Sequence, residues 1–148
     1  MCARMAARRM SDADQQELLK AHRACEAACL AADPDDYYHK NEHFHQVIYG
    51  AAHSGFLVEQ AMALQRRLRP YRRLQLRVRN RMSSSFSEHT QIVEALLQGD
   101  SDLAPERLRQ HILVQGERFA DLLASLASLR TKPPAVSASE VFETPIPQ

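Results

Sequence analysis

Apolar residues recur every three or four positions along most of the chain, and this period narrows the fold more than any other feature. One run is Leu18, Leu19, Ala21, Cys25, Ala28, Cys29 and Ala32; the next is Tyr37, Phe44, Val47, Ile48 and Ala51. A third is Leu57, Ala61, Leu64 and Leu68, resuming with Leu74 and Val78, and a fourth is Phe86, Ile92, Val93, Leu96 and Leu97. At 3.6 residues per turn each run occupies one face of a helix. The residues between the runs are helix punctuation. Ser11 is a capping residue with Asp12 and Asp14 in the first turn, and Asp33-Pro34 is a capping acid followed by the residue best suited to the first helical position. Ser54-Gly55 is a break, the Ser83-Ser84-Ser85 run with Glu88 is a capping box, Gly99 is a helix terminator, and Ser101 or Asp102 is the next cap.

The chain therefore reads as all-α, an antiparallel helical bundle of about six helices. The first, Cys2 to Arg9, has no cap before it and reads as truncated. The second runs to about Asp33, the third from Pro34 to His53, and the fourth from near Phe56 with a kink expected near Leu68, because Pro70 removes a backbone hydrogen bond. The fifth ends at Gly99 and the last spans Leu103 to about Leu129. Residues 1–130 make one domain. Residues 131–148, with four prolines, are expected to be an extended or disordered tail.

Composition agrees. With 148 residues, 45% of them hydrophobic, there is one domain's worth of core, and four glycines with no tryptophan suit helices. No apolar run approaches the roughly 18 residues of a membrane span, and no apolar stretch of a secretory signal follows Met1. Three cysteines, Cys2, Cys25 and Cys29, read as buried thiols of an intracellular, cytoplasmic protein. The 19 basic and 18 acidic residues nearly balance, which argues against a surface built to coat nucleic acid. That balance is uneven along the chain. Eight arginines lie between Arg66 and Arg81 with no acid among them.

Seven histidines are more than such a chain needs. Asn41 and His45 are four apart, one turn apart on one helical face. His89 and His111 are each eleven residues from position 100, on consecutive helices joined at Gly99-Asp100. In an antiparallel hairpin such residues lie side by side, both about 16 Å from the turn at 1.5 Å per residue. Three imidazoles and an amide oxygen converging inside a bundle make a divalent transition-metal site, with Zn or Ni placed first. His22, His39, His43 and His53 read as ordinary helix residues.

These residues also carry a resemblance. Asn41-Glu42-His43-Phe44-His45, Ala51-Ala52-His53, Ser87-Glu88-His89 with Ile92-Val93-Glu94-Ala95-Leu96, Gly99-Asp100 and finally His111 resemble, in that order, the FCD domain. This is the C-terminal effector-binding domain of the FadR branch of GntR-type bacterial transcription regulators. The resemblance covers residues 1 to about 129. It implies an antiparallel bundle that binds a small organic acid, often beside a metal held by Asn41, His45, His89 and His111. Asn41 stands where the metal-binding pattern has Asp, so the site carries one negative charge fewer. The resemblance further implies a homodimer that meets DNA only through an N-terminal winged helix-turn-helix. That module is expected to be absent here, since Met1 falls where the first bundle helix is already under way.

The arginine-rich helix then suggests the acid's partner. Arg66, Arg69 and Arg73 share a face, and Arg69 and Arg73 flank Pro70 and Tyr71, where a kink opens space. Arg73 first, then Arg69, with Tyr49, are the expected ligand-binding residues, gripping a carboxylate by a two-pronged contact. Nucleic-acid contact by this stripe is disfavoured, since Tyr71 is its one aromatic residue. Two other readings remain beside the non-enzymatic sensor. One is a small three-His metalloenzyme, which needs a general base near the site. The other is a metal-free dimerisation bundle in which the histidines pack.

Overall fold

The computed structural model describes residues 1–113. Within them the chain forms six α-helices and no strand. They are α1 (Cys2–Arg9), α2 (Asp12–Leu30), α3 (Pro34–Gly50), α4 (Gly55–Gln75) and α5 (Arg81–Leu97), with α6 covering 103–113. The expected continuation of the last helix to about Leu129 and the expected tail at 131–148 lie outside the described residues.

Local chemistry sets the boundaries. Ser11 and Asp14 form a reciprocal capping box at the start of α2, the Asp14 N–H donating to Ser11 Oγ at 3.2 Å and the Ser11 N–H to Asp14 Oδ2 at 2.9 Å. Asp33 Oδ1 accepts from the N–H groups of Asp35 and Asp36, both at 3.0 Å, and Pro34 takes the first helical position of α3. α2 and α5 end alike. The Asp33 N–H reaches Ala28 O and the Ala32 N–H reaches Cys29 O; Asp100 and Gly99 repeat the pattern onto Ala95 and Leu96. This termination places one residue in the left-handed region: Gly99 (φ 69°) in α5, but Ala32 (φ 53°) in α2.

Several expected boundaries move. α3 stops at Gly50, and His53 adopts a positive φ of 48° beyond it. α4 continues through Pro70 to Gln75 as one helix, and Val78 lies after its end. α5 starts at Arg81, behind a left-handed Asn80, so Ser85 is buried inside the helix and is no cap. The expected box with Glu88 does not form, because Arg81 and His111 take its carboxylate. Two charge-assisted bonds to a buried guanidinium outweigh one bond to a helix-start N–H. α6 is capped by Asp100, not Ser101 or Asp102; Asp100 Oδ1 accepts from Asp102 N at 3.0 Å and Leu103 N at 2.8 Å.

α2 packs on α3 and α5, α1 packs on α3 and α5, and α4 lies on α3. Leu18, Cys25, Phe44, Ile48, Ile92 and Leu96 fill the space between them. Burying each large side chain contributes about 1.5–3 kcal/mol before entropy is counted. α4 is the exception: its fully buried residues are Gln65 and Gln75, while Leu64, Leu68 and Leu74 keep substantial exposure. Cys25 alone of the cysteines is fully buried, and burial pushes its thiol up to about 12; Cys2 and Cys29 are partly exposed. No described helix is long and apolar enough to cross a membrane.

Candidate metal centre

α3 supplies Asn41 and His45, α5 supplies His89 and α6 supplies His111, and all four side chains are buried. The turn at Gly99-Asp100 does what its symmetry predicts. The His89 and His111 rings meet edge to face with centroids 4.8 Å apart. His45 closes the group, 5.5 Å from His89 and 5.1 Å from His111. One nitrogen from each histidine lies within 4.8 Å of the others.

His45 Nε2 and His111 Nε2 are 3.2 Å apart. Two nitrogens bound to one tetrahedral zinc at 2.0–2.1 Å stand about 3.4 Å apart, so this separation already suits an ion. His111 is oriented from behind. Its Nδ1–H donates to Glu88 Oε2, which leaves the Nε2 lone pair turned toward His45. Glu88 is clamped in turn by Arg81, whose Nη1 and Nη2 donate to the two carboxylate oxygens at 2.9 Å each. Arg81 is only 2% exposed. Phe44 stacks on His89 at 4.1 Å and Tyr37 lies parallel at 6.3 Å, fixing the ring in its slot.

The polar atoms that remain tell the same story. Asn41 Oδ1, His45 Nδ1 and both nitrogens of His89 are buried without a hydrogen-bond partner. Each such atom costs about 1–3 kcal/mol. The three clustered histidines, with these unpaired atoms among them, fit a metal ion, and Asn41 Oδ1, one helical turn before His45, is a further unpaired oxygen on the same helix. Burial, followed by the neighbouring charges, holds His45 and His89 well below the ordinary imidazole pKa. Both are therefore neutral near pH 7, the form that binds metal. Burial lowers His111 as well, with Glu88 partly opposing it. Burial alone would raise Glu88, but the bonds from His111 and Arg81 prevail and hold it at about 2.

Beside this cluster is a cavity of about 230 Å³ whose wall includes His45, Tyr49 and Arg72. Arg69 and Arg73, the arginines expected there, are elsewhere. Arg69 Nε donates to Glu42 at 2.8 Å, and Arg73 and Arg77 both reach Asp35 at 3.0 Å, on the exposed outer side of α3. Positions 69, 73 and 77 form an i, i+4 row that meets acids seven residues apart on α3. Arg72 is one position off that row and so turns about 100° away, into the cavity. Its Nε and Nη2 are screened from solvent and unpaired.

The other histidines have ordinary partners: His43 with Glu17, His53 with Asp14, and His22 with Thr90 and the Phe86 ring. Arg72 and Arg81 are the residues that sequence reasoning missed. For Arg81 a signal existed, since it lies two turns before Glu88 on the same face.

A family model described as FCD domain matches residues 1–113. No curated protein matches the chain.

Proposed function

Because the chain belongs to the FCD domain family, the ligand-sensing domains of GntR-type regulators, we propose that it senses a small carboxylic acid bound beside a divalent metal. Asn41, His45, His89 and His111 hold the ion, Zn or Ni, and Arg72 clasps the acid, with the Tyr49 side chain in the same wall. Arg72 replaces Arg73 and Arg69 in this role. The supporting observation is that Arg72 lines the cavity that His45 also lines, and that its Nε and Nη2 are buried without a hydrogen-bond partner. That Nε/Nη2 edge is the fork that takes a carboxylate by two parallel bonds. A buried cation with unpaired N–H groups is costly, so an incoming carboxylate finds the partner already in position. When bound, the metal supplies a positive charge that a second oxygen of the ligand can meet.

An acid seated here touches α4 through Arg72 and α3 through Tyr49. α4 otherwise packs on α3 with few fully buried residues, so the acid favours one placement of α4 over others. In the parent regulator that bias passes to winged helix-turn-helix modules of a homodimer, which make the DNA contact. FCD domains in general are regulatory and not enzymes. Consistent with that, Glu88, the acid nearest the cluster in sequence, is committed to Arg81 and His111 and is not free to act as a base.

Calorimetric titration of the metal-stripped and zinc-loaded chain with acetate, lactate and pyruvate tests the proposal. The expected result is binding of at least one acid to the wild type and its loss in Arg72→Met, which keeps its zinc. Undiminished acid binding by Arg72→Met would contradict the assignment of Arg72.

A further inference from the structure

The walls of the same cavity say more about what occupies it, granted the acid-sensing reading on which this step rests. We infer that the acid is a monocarboxylate with a short apolar body of about six carbons, in preference to a dicarboxylate. Among the described residues that line the cavity, Arg72 is the charged side chain, and it lies near His45 and Tyr49, so Arg72 and a metal held at His45 share one end of the cavity. One guanidinium, its Nε and Nη2 unpaired, matches one carboxylate. Arg69 and Arg73, three positions before Arg72 and one after it, are held by Glu42 and Asp35 outside the cavity.

Away from His45, Tyr49 and Arg72, the described wall is mostly hydrocarbon, with Ala61, Leu64 and Leu68 from α4 and Leu108 and Ile112 from α6. Leu64 is 59% exposed and Ile112 43%, so a ligand chain laid between them removes apolar surface of both partners from water. The polar residue among them, Gln65, turns its Nε2 to the backbone oxygen of Glu42 at 3.2 Å. A second carboxylate among these leucines meets no cation and gives up its hydration.

The volume suits a short chain. At about 30 Å³ for each water-sized group, 230 Å³ holds about eight non-hydrogen atoms, the size of hexanoate. Such a ligand places its carboxylate on Arg72 and its chain on the facing walls of α4 and α6.

The test is calorimetry on the full 148-residue chain, zinc-loaded and metal-stripped, with butyrate, pentanoate, hexanoate, octanoate and adipate. Affinity should rise about fourfold per methylene from butyrate to hexanoate and then level off. Adipate, with the same number of carbons and a charge at the far end, should bind at least tenfold more weakly than hexanoate. Leu68→Lys should narrow that gap, with its zinc binding reporting that the bundle is intact. Adipate binding as tightly as hexanoate, or affinity independent of chain length, would overturn this inference while leaving an acid sensor in place. If none of the five acids binds in either metal state, and the smaller acids also fail, the sensing reading falls with it.

Discussion

A single proton decides which way His111 faces. With Nδ1–H given to Glu88, the Nε2 lone pair is directed at His45, and Arg81 keeps Glu88 from turning away. Replacing Glu88 by Gln keeps the shape but weakens the acceptor that fixes this tautomer. Zinc affinity, measured by competition with a chelator, should fall 10–100-fold, the usual loss for such supporting partners. Equal affinity in wild type and variant would mean that Glu88 only packs. The histidines were legible in the sequence because a turn of known kind, at Gly99-Asp100, sets their register. Arg72 was not legible, because the arginines of α4 from Arg66 to Arg73 point to several of its sides. Which one faces inward is decided by Asp35 and Glu42 on another helix, and no local spacing contains that information.

Among the elements, helix ends were read least well where the residue type did not suit its conformation. Gly99 announced the end of α5. Ala32 performs the same left-handed termination for α2 with a side chain that resists it. Ala32→Gly should therefore stabilise the chain by about 0.5–1 kcal/mol, visible as a higher denaturant midpoint with an unchanged slope. A lower midpoint would show that the strain at Ala32 is absent or offset. The start of α5 was misplaced for a different reason. Ser83-Ser84-Ser85 is a good local cap, but the ion pair with the buried Arg81 commits Glu88 elsewhere and draws Arg81 into the helix. α4 misled in the opposite sense, since a regular apolar stripe lines a cavity and solvent instead of the core.

Across the whole molecule, the core is built around groups that must stay neutral. His45 and His89 are held well below their ordinary pKa by burial, so below about pH 6.5 the unfolded chain binds protons that the folded chain does not. Stability of the metal-free chain should then fall as pH drops through and below 6.5, and rise toward pH 8. Melting temperatures across that range check it, and a flat profile would contradict the neutral, buried cluster. The all-α class and the helix order follow from periodicity and punctuation. How α4 sits over the cluster depends on contacts between helices, which the period of a single helix cannot report.

We propose that Asn41, His45, His89 and His111 hold one metal ion inside the bundle. Calorimetric titration of the chelator-stripped chain with zinc tests it most directly, with His89→Ala in parallel and circular dichroism to verify that the variant is helical. One zinc per chain in the wild type, and at least a hundredfold weaker binding in a folded His89→Ala, is the predicted result. No zinc binding by the wild type, or equal binding by both, would contradict it.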